Sequence, residues 1–234
     1  GIYELSESLS VVADIVALNC NGAILTRAQA TTVPCGIRTQ GTANVRLDNC
    51  NLQGFGISFS GSGGTIANAR IITPLSHGIA VSLSDHLTIS DTIIDSAGAI
   101  GISAYRLDEA MFERLNVTGA KTFGMALLNI TSTTIIDTIV SGTIGSDGIN
   151  LSQSTDNNLF RVIATNNTRY GLSLNNAQRN AFTEMNVTGN KQAGVYLYQS
   201  ASNLLTESTI AANNGTYSGS GIILSQSANN TFDR

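Results

Sequence analysis

Apolar residues recur at every second position over short stretches of this 234-residue chain, and the stretches repeat. Nine glycine–aliphatic pairs open them, from Gly36-Ile37 to Gly221-Ile222, at intervals that are most often 23 residues. The stretch "GINLSQSTDNNLF" from Gly148 is followed by "GLSLNNAQRNAFT" from Gly171 and "GVYLYQSASNLLT" from Gly194. Alternation with a period of two predicts β-strands. A fixed period near 23 residues is typical of solenoid proteins.

Each repeat predicts two or three short strands separated by turns. A second alternating run follows the first, as at Phe182, Met185 and Val187, and Asn, Ser, Thr and Gly are frequent between the runs. One repeat cannot bury its apolar side alone, whereas stacked repeats pair each strand with its equivalent about 4.8 Å away. We therefore predict one all-β domain, residues 1–234, forming a parallel β-helix of about nine coils. Residues 1–35 would form the entry strands and first coil, and residues 36–234 the regular coils, the last of them incomplete.

Four asparagines occupy one place in the last four repeats, six residues after an inward leucine. Asparagine tolerates left-handed turn geometry, and its amide can bond to the amide of the next coil. We predict a structural ladder inside one turn of the solenoid. Its members are Asn157, Asn180, Asn203 and Asn230.

The repeated "GIxL…S…N.F…V" coils resemble the right-handed parallel β-helix of the pectin-lyase-like superfamily. Within it they are most similar to the carbohydrate-binding and sugar-hydrolysis repeat proteins, over roughly residues 20–234. The resemblance implies right-handed coils. In the superfamily's enzymes it implies a substrate on the outer face of the strands that follow the glycine–aliphatic pairs. It does not specify an activity, because the superfamily includes lyases, hydrolases, epimerases, phage spikes, adhesins and structural coils.

The outward residues of those strands carry little recognisable chemistry. Glycoside hydrolysis needs two facing carboxylates, and uronate lyases and epimerases need a neutralising cation and a base. Among eighteen outward positions the sequence gives one charge and no carboxylate. The Gly-His-Gly and Arg-x-Lys motifs of polygalacturonases and the Asp-Pro-His motif of alginate epimerases are missing. The two columns are Arg38, Ser58, Ala80, Ser103, Ala126, Asn150, Ser173, Tyr196 and Ile223, and Gln40, Ser60, Ser82, Tyr105, Leu128, Ser152, Asn175, Tyr198 and Ser225.

Weak catalytic candidates remain among the few titratable residues. Besides Arg38, they are the two histidines, His77 and His86, with Asp85. We interpret His86, in "SDHLTIS", as a substitute in the asparagine ladder, and His77 as a loop residue. The alternative is a cluster of Asp85, His77 and His86 from adjoining coils.

Three tyrosines stand on the outward columns, where a ring can pack against a sugar or a partner protein. Tyr196 and Tyr198 are two residues apart on one strand, and Tyr105 lies in an earlier repeat. We predict these three as candidate contact residues for a carbohydrate or partner.

Seven Asn-x-Ser/Thr sequons are candidate glycosylation sites. They begin at Asn116, Asn129, Asn150, Asn166, Asn186, Asn214 and Asn229.

We predict no zinc site at the cysteines, because there are only three of them and no two are spaced as a CxxC pair. Cys20 and Cys50, in "LNCNG" and "LDNCNL", predict equivalent places in neighbouring coils. We interpret Cys20, Cys35 and Cys50 as buried thiols. The alternative, a disulfide between two of them, would fit a secreted protein. No metal or other cofactor is predicted.

Composition excludes other partners. The apolar fraction of 42% and net charge of −4 argue against disorder, and with only two lysines we predict no nucleic-acid binding. No apolar run reaches 18 residues, so we predict no membrane span.

Three functions are compatible with these patterns. The charge-poor face, the scarcity of lysine and the lack of a capping helix favour a non-catalytic structural or adhesive protein, extracellular or in the cell envelope. Copies of it would associate head to tail through open helix ends into fibres. The alternatives are a polysaccharide lyase, hydrolase or epimerase, and a glycan-binding module on the same fold.

Overall fold

A computed structural model of the chain describes residues 1–28, 33–61, 63–214 and 220–233. Its strands form three parallel sheets of ten strands, here called A, B and C, and successive strands along the chain join A, B and C in turn. The first three strands already pair in register with the next coil. The predicted parallel β-helix is therefore confirmed, with about ten coils rather than nine and three strands in every coil.

The thirty strands follow in chain order. The first ten are β1 (Ile2–Leu5), β2 (Leu9–Val11), β3 (Ala17–Asn19), β4 (Ile24–Arg27), β5 (Cys35–Thr39), β6 (Val45–Asp48), β7 (Asn51–Gln53), β8 (Gly56–Ser60), β9 (Gly64–Ala67) and β10 (Arg70–Ile72). The next ten are β11 (Ile79–Asp85), β12 (Leu87–Ser90), β13 (Ile93–Asp95), β14 (Ile102–Asp108), β15 (Met111–Glu113), β16 (Asn116–Thr118), β17 (Met125–Leu128), β18 (Thr134–Ile136), β19 (Ile139–Ser141) and β20 (Ile149–Ser152). The last ten are β21 (Asn158–Phe160), β22 (Ile163–Thr165), β23 (Leu172–Asn175), β24 (Ala181–Thr183), β25 (Asn186–Thr188), β26 (Val195–Tyr198), β27 (Leu204–Thr206), β28 (Thr209–Ala211), β29 (Ile222–Ser225) and β30 (Thr231–Phe232).

The core is built from the alternation seen in the sequence. In β20, Ile149 and Leu151 are fully buried, whereas Asn150 and Ser152, which alternate with them, point outward. Because neighbouring coils pair in register, inward residues stack into continuous columns. One such column, each member at most 2% exposed, is Ile79, Ile102, Met125, Ile149, Leu172 and Val195. Removal of these side chains from water stabilises the stack by roughly 25 cal/mol per Å² of apolar surface.

The turns between sheets contain residues in the left-handed region at fixed places in successive coils. Asp91, Arg114, Asp137 and Arg161 share one such place, with φ of 50–51°. Their side chains point to solvent and pair between coils: Arg114 Nε lies 2.6 Å from Asp91 Oδ1, and Arg161 Nε lies 2.6 Å from Asp137 Oδ1. Ion pairs this exposed contribute little to stability, because water and salt screen their charges.

The four asparagines of the first ladder bond to one another through the turn between sheets B and C. Asn157 Nδ2 donates to Asn180 Oδ1 at 2.9 Å, and Asn180 Nδ2 donates to Asn203 Oδ1 at 3.0 Å. Asn203 Nδ2 donates in turn to Asn230 Oδ1 at 2.9 Å. Each acceptor oxygen also takes the backbone N–H of the preceding asparagine.

A second asparagine ladder, not anticipated from the sequence, runs through the turn before sheet B. Asn167 Nδ2 donates to Asn190 Oδ1 at 3.0 Å, and Asn190 Nδ2 donates to Asn213 Oδ1 at 2.9 Å. These amides leave no room for a side chain at the glycine of two glycine–aliphatic pairs, because a Cβ at Gly148 would lie 2.5 Å from Asn167 Nδ2 and one at Gly171 2.6 Å from Asn190 Nδ2.

The interpretation of the cysteines as three buried thiols is wrong for two of them. Cys20 and Cys50 form a disulfide, while Cys35 is free and buried. The reason is the equivalence of their places: β3 ends at Asn19 and β6 at Asp48, and these residues pair directly. The two cysteine Cα atoms are consequently 4.9 Å apart, within bonding range.

In the part of the chain that the structure describes, no helix has the length and apolarity needed to cross a membrane.

Candidate functional site

The outer face of sheet B carries a narrow column of small and polar side chains with larger residues towards its ends. The register places Arg38, Ser58, Ala80, Ser103, Ala126, Asn150, Ser173, Tyr196 and Ile223 in one line, as the alternation predicted. Described residues of this face line two clefts that bear on function. We call them the aromatic cleft and the arginine cleft.

The aromatic cleft has a volume of about 280 Å³ and lies on β20, β23 and β26, together with the turns that precede β20 and β23. Three residues of the outward column, Asn150, Ser173 and Tyr196, line it. Its lining residues are Asp147, Asn150, Arg169, Tyr170, Ser173, Leu174, Asn175, Tyr196 and Tyr198.

Asp147 is the buried carboxyl group of this cleft, with 2% of the residue exposed. Ser173 Oγ donates to its Oδ2 at 2.7 Å, and Tyr170 N donates to its Oδ1 at 3.4 Å. Arg169 Nη1 lies 3.7 Å from Oδ1. Burial raises the pKa of Asp147, and the hydrogen bond from Ser173 and the charge of Arg169 oppose that rise only in part.

A hydrogen-bonded chain fixes the polar side chains around this carboxyl group. Asn150 Nδ2 donates to Ser173 Oγ at 2.8 Å, and Ser173 Oγ donates onward to Asp147. The hydroxyl of Ser173 is therefore oriented from both sides. Such a chain holds its members in one arrangement before a ligand arrives.

The aromatic wall of the cleft consists of three tyrosines and a guanidinium group. The rings of Tyr170 and Tyr196 are stacked, with centroids 4.7 Å apart and planes at 15°. Arg169 lies over the Tyr170 ring, 4.8 Å from its centroid. Tyr198 follows on the same strand as Tyr196. Flat apolar surfaces beside a carboxyl, a guanidinium and amide groups can pack the C–H face of a sugar ring and bond its hydroxyls.

Sequence reasoning missed Asp147, Arg169 and Tyr170, which lie in the turns that enter sheet B. Alternation identifies outward residues only within strands, so it does not assign these turn residues to the face. One signal was available: Asp147 and Tyr170 stand immediately before Gly148 and Gly171, at the same place in consecutive coils. Of the three predicted contact tyrosines, the structure brings Tyr196 and Tyr198 together here. Tyr105 lies four coil steps from Tyr198, roughly 19 Å away.

The arginine cleft, of about 170 Å³, lies near the other end of the same face. It brings together two weak catalytic candidates, Arg38 and His77, with the buried thiol of Cys35. Arg38 Nη2 lies 3.7 Å from Cys35 Sγ. His77 Nδ1 is buried without a hydrogen-bond partner among the described residues, and burial lowers the pKa of the imidazole. The lining residues are Pro34, Cys35, Arg38, Gly56, Ile57, Ser58, Ser76, His77 and Ala80.

Asp85 and His86 do not join this cleft. His77 precedes β11 whereas Asp85 ends it, and neither Asp85 nor His86 is among the described residues that line the cleft. No group of three metal-ligating side chains occurs in the described ranges. The interpretation of His86 as a ladder member is wrong by one position, because Leu87 aligns with Asn157 through the register of sheet C. His86 instead has a left-handed φ of 59°, and its Nε2 lies 3.0 Å from Glu109 Oε2.

The sequon asparagines differ in exposure. Asn116 and Asn150 are half-buried, and Asn150 lies in the aromatic cleft. The third residue of the Asn214 sequon lies outside the described residues. The exposed ones are Asn129, Asn166, Asn186, Asn214 and Asn229.

Several solved structures share this fold at low sequence identity. The A-module of mannuronan C-5 epimerase AlgE6 from Azotobacter vinelandii superposes with a TM-score of 0.81 and 13% identity, over 95% of this chain and 70% of its own. A mutant of the periplasmic alginate epimerase AlgG superposes with a TM-score of 0.84 and 16% identity, over 98% of this chain and 62% of its own. Tailspike protein 2 of the Escherichia coli O157:H7 bacteriophage CAB120 superposes with a TM-score of 0.75 and 9% identity, over 95% of this chain and 38% of its own. These likenesses show the fold.

No curated protein matches the sequence. The family described as "Right handed beta helix region" matches residues 35–210 and 127–234, which together span most of the chain. The handedness implied by the resemblance is thereby confirmed, and the chain belongs to the right-handed β-helix family.

Proposed function

We propose that this protein binds a polysaccharide on the outer face of sheet B, with one sugar residue held in the aromatic cleft. The observation that carries the proposal is the stacked pair Tyr170 and Tyr196 beside the buried carboxyl group of Asp147. Rings supply area for the apolar face of a sugar. Asp147, Arg169 and Asn150 supply donors and acceptors for its hydroxyl groups.

The shape of the face favours a polymer over a free monosaccharide. Sites for small ligands usually enclose most of the ligand surface. Here the cleft continues into a column of small side chains, among them Ala126, Ser103 and Ala80. An extended chain could lie along this column and contact several coils.

The names of the structural neighbours support the same class of ligand. Two are epimerases of mannuronan and alginate, and a further neighbour is described as the enzymatically active domain of a phage tailspike. This support favours a carbohydrate function over the non-catalytic structural or adhesive role, which remains a prediction. Electron microscopy across a concentration series checks that role, and fibres with a regular axial repeat would support it.

An extracellular or envelope location is part of the proposal. The Cys20–Cys50 disulfide favours an oxidising compartment, and the neighbours include a periplasmic enzyme and a phage tailspike.

The proposal is tested by native electrophoresis in gels that contain one polysaccharide each, both acidic and neutral. We expect at least one to retard the protein. Tyr196→Ala should weaken that interaction about tenfold or more, because a contacting aromatic ring often dominates binding energy. Tyr3→Ala is the matched control, since Tyr3 is an exposed tyrosine of sheet A, away from the proposed binding face. Equal retardation of both variants, or no retardation of the parent protein, would contradict the proposal.

Turnover of the bound polysaccharide is a second candidate function, favoured by the buried, hydrogen-bonded carboxyl group of Asp147 in the cleft, whose pKa burial raises. A carboxyl group that keeps its proton above the ordinary range can act as a general acid. Among the described residues that line the cleft it is the one carboxyl group, so the two-carboxylate mechanism of hydrolysis is not favoured. Acid–base chemistry on a uronate is the better candidate. Incubation with polyuronates, followed by ultraviolet detection of unsaturated products and NMR of C5 configuration, should show a reaction that Asp147→Asn abolishes.

A further inference from the structure

The arginine cleft stands apart from the aromatic cleft on the same face, and its polar groups differ in kind. We infer that this cleft binds an anionic group, a carboxylate or a sulfate, and that the proposed polysaccharide is therefore acidic. The second half of this inference rests on the proposed function. The first half rests on the cleft alone.

The guanidinium group of Arg38 is the main argument. Arg38 is exposed on the outward column, and its contact in the described structure is the thiol of Cys35, a weak acceptor. No carboxylate of the described residues lies within ion-pair distance of it. Other arginines of the chain do have such a partner: they are Arg46, Arg114, Arg161, Arg169 and Arg179. The planar donor fork of Arg38 is thus available to a carboxylate or sulfate.

The groups around Arg38 complete a cleft rich in donors. His77, Ser58 and Ser76 also line the cleft, and His77 Nδ1 is buried with no hydrogen-bond partner in the described structure. A buried polar atom without a partner is unfavourable unless a ligand or water satisfies it. None of the described lining residues is acidic. An anion would find complementary charge here, whereas a cation would not.

The cleft is built into the coil stack and does not depend on flexible side chains alone. Gly56 lies between the strand of Arg38 and the turn of His77, and it pairs with Cys35. A Cβ at Gly56 would collide with the carbonyl oxygen of His77. The glycine lets the turn that carries His77 approach β8 closely, and His77 and Ser58 line the same cleft.

The position of the cleft suits a second contact on one polymer. Arg38 and Asn150 belong to the same outward column and are five coil steps apart, or about 24 Å at the usual strand spacing. Small side chains fill the column between them. A chain lying along the helix axis could contact both clefts at once and gain from bivalent attachment.

The test compares Arg38→Gln with Arg70→Gln, an exposed arginine of sheet A, on the complete chain. Affinities are measured calorimetrically for polygalacturonate, dextran sulfate and neutral dextran at low salt. We expect an acidic polymer to bind more tightly than dextran, and Arg38→Gln to weaken that binding about tenfold, as loss of a charge-assisted hydrogen bond does. Arg70→Gln should bind as the parent does. Equal affinity of the parent and Arg38→Gln for every acidic polymer would overturn the inference.

A second readout separates the two hypotheses. The imidazole NMR signals of His77 are followed during titration with sodium sulfate and sodium acetate. A shift of the His77 signals in the parent that is absent from Arg38→Gln supports the anion site. If that shift occurs but no polysaccharide binds, the proposed function fails and the anion site stands. Polysaccharide binding that needs Tyr196 but not Arg38, with no shift at His77, would overturn the anion site and leave the proposed function intact.

Discussion

The ring of Tyr170 lies nearly parallel to the ring of Tyr196, 4.7 Å away, although the two occupy different places in their coils. Tyr170 belongs to the turn that enters β23, whereas Tyr196 points outward from β26. The contact therefore joins a turn of one coil to a strand of the next. It fixes the wall of the aromatic cleft.

This contact predicts an energetic coupling between the two tyrosines. In a double-mutant cycle of Tyr170→Ala and Tyr196→Ala, the free energies of unfolding should be non-additive by about 0.5–1.5 kcal/mol. Urea unfolding of the four proteins measures this coupling. A control cycle of Tyr105→Ala and Tyr196→Ala should be additive, because those residues are not in contact. Additivity in both cycles would mean that the stacking contributes nothing to stability.

The buried asparagine ladders predict large losses from single substitutions. Asn180→Ala removes an amide that accepts two hydrogen bonds from Asn157 and donates to Asn203 Oδ1 and Ser154 O. Because the remaining buried partners stay unpaired, the free energy of unfolding should fall by roughly 3 kcal/mol. Asn190→Ala in the second ladder should behave alike. Asn186→Ala, exposed on β25, should change stability by less than about 0.5 kcal/mol, and a loss equal to that of Asn180→Ala would contradict the ladder argument.

The disulfide predicts a local effect at the N-terminal coils. Cys20→Ser with Cys50→Ser opens a loop of 30 residues. In the chain-entropy picture this lowers the free energy of unfolding by about 3–4 kcal/mol. Since each coil contacts only its neighbours, hydrogen exchange should accelerate in β1–β7 and stay unchanged in β20–β27. Cys35→Ala is the control that keeps the bridge; uniform acceleration along the whole chain would refute a local role.

The raised pKa of Asp147 predicts a pH dependence of stability with a defined sign. The folded state holds this proton to a higher pH than the unfolded state, whose carboxyl group titrates near 3.8. As the pH rises from about 3.8 through the raised pKa, the unfolded state binds fewer protons, so the free energy of unfolding decreases. Asp147→Asn should lack this decrease. Urea unfolding at several pH values from roughly 3.5 to 8 gives the difference in free energy of unfolding between the two proteins. A difference that grows with pH in favour of the parent would have the opposite sign and contradict the prediction.

Much of the fold could be predicted because each coil repeats the same alternation of inward apolar and outward polar residues. The alternation around Ile149 and Leu172 determines which side chains point inward, and parallel pairing leaves one register that keeps every such residue buried. The first asparagine ladder followed from its spacing. The second did not, because Asn167, Asn190 and Asn213 precede the strand, and their partner glycines had been treated only as markers of the repeat.

The candidate sites were harder to predict because they combine a strand of one coil with the turn of another. Arg38 and His77 are 39 residues apart in the sequence, yet they line one cleft because their coils are only two steps apart along the helix axis. Asp147 looks isolated in "SDGIN", and only the turn geometry places it under Ser173. His86 shows the opposite error, in which similarity of sequence context suggested a place that the register assigns to Leu87.

In-register stacking also determines how the separation of the two clefts could vary. Ile79, Ile102 and Met125 are equivalent in three consecutive coils, so the segment 102–124 forms one complete coil between the clefts. Deletion of these residues would join Gly101 to Met125 and let β11 pair with β17, while both clefts kept all their residues. The arginine cleft would move about 4.8 Å towards Tyr196. The distance that the proposed polymer would have to span can thus be lengthened or shortened only in whole coils, each a discrete step in the size of ligand that would fit.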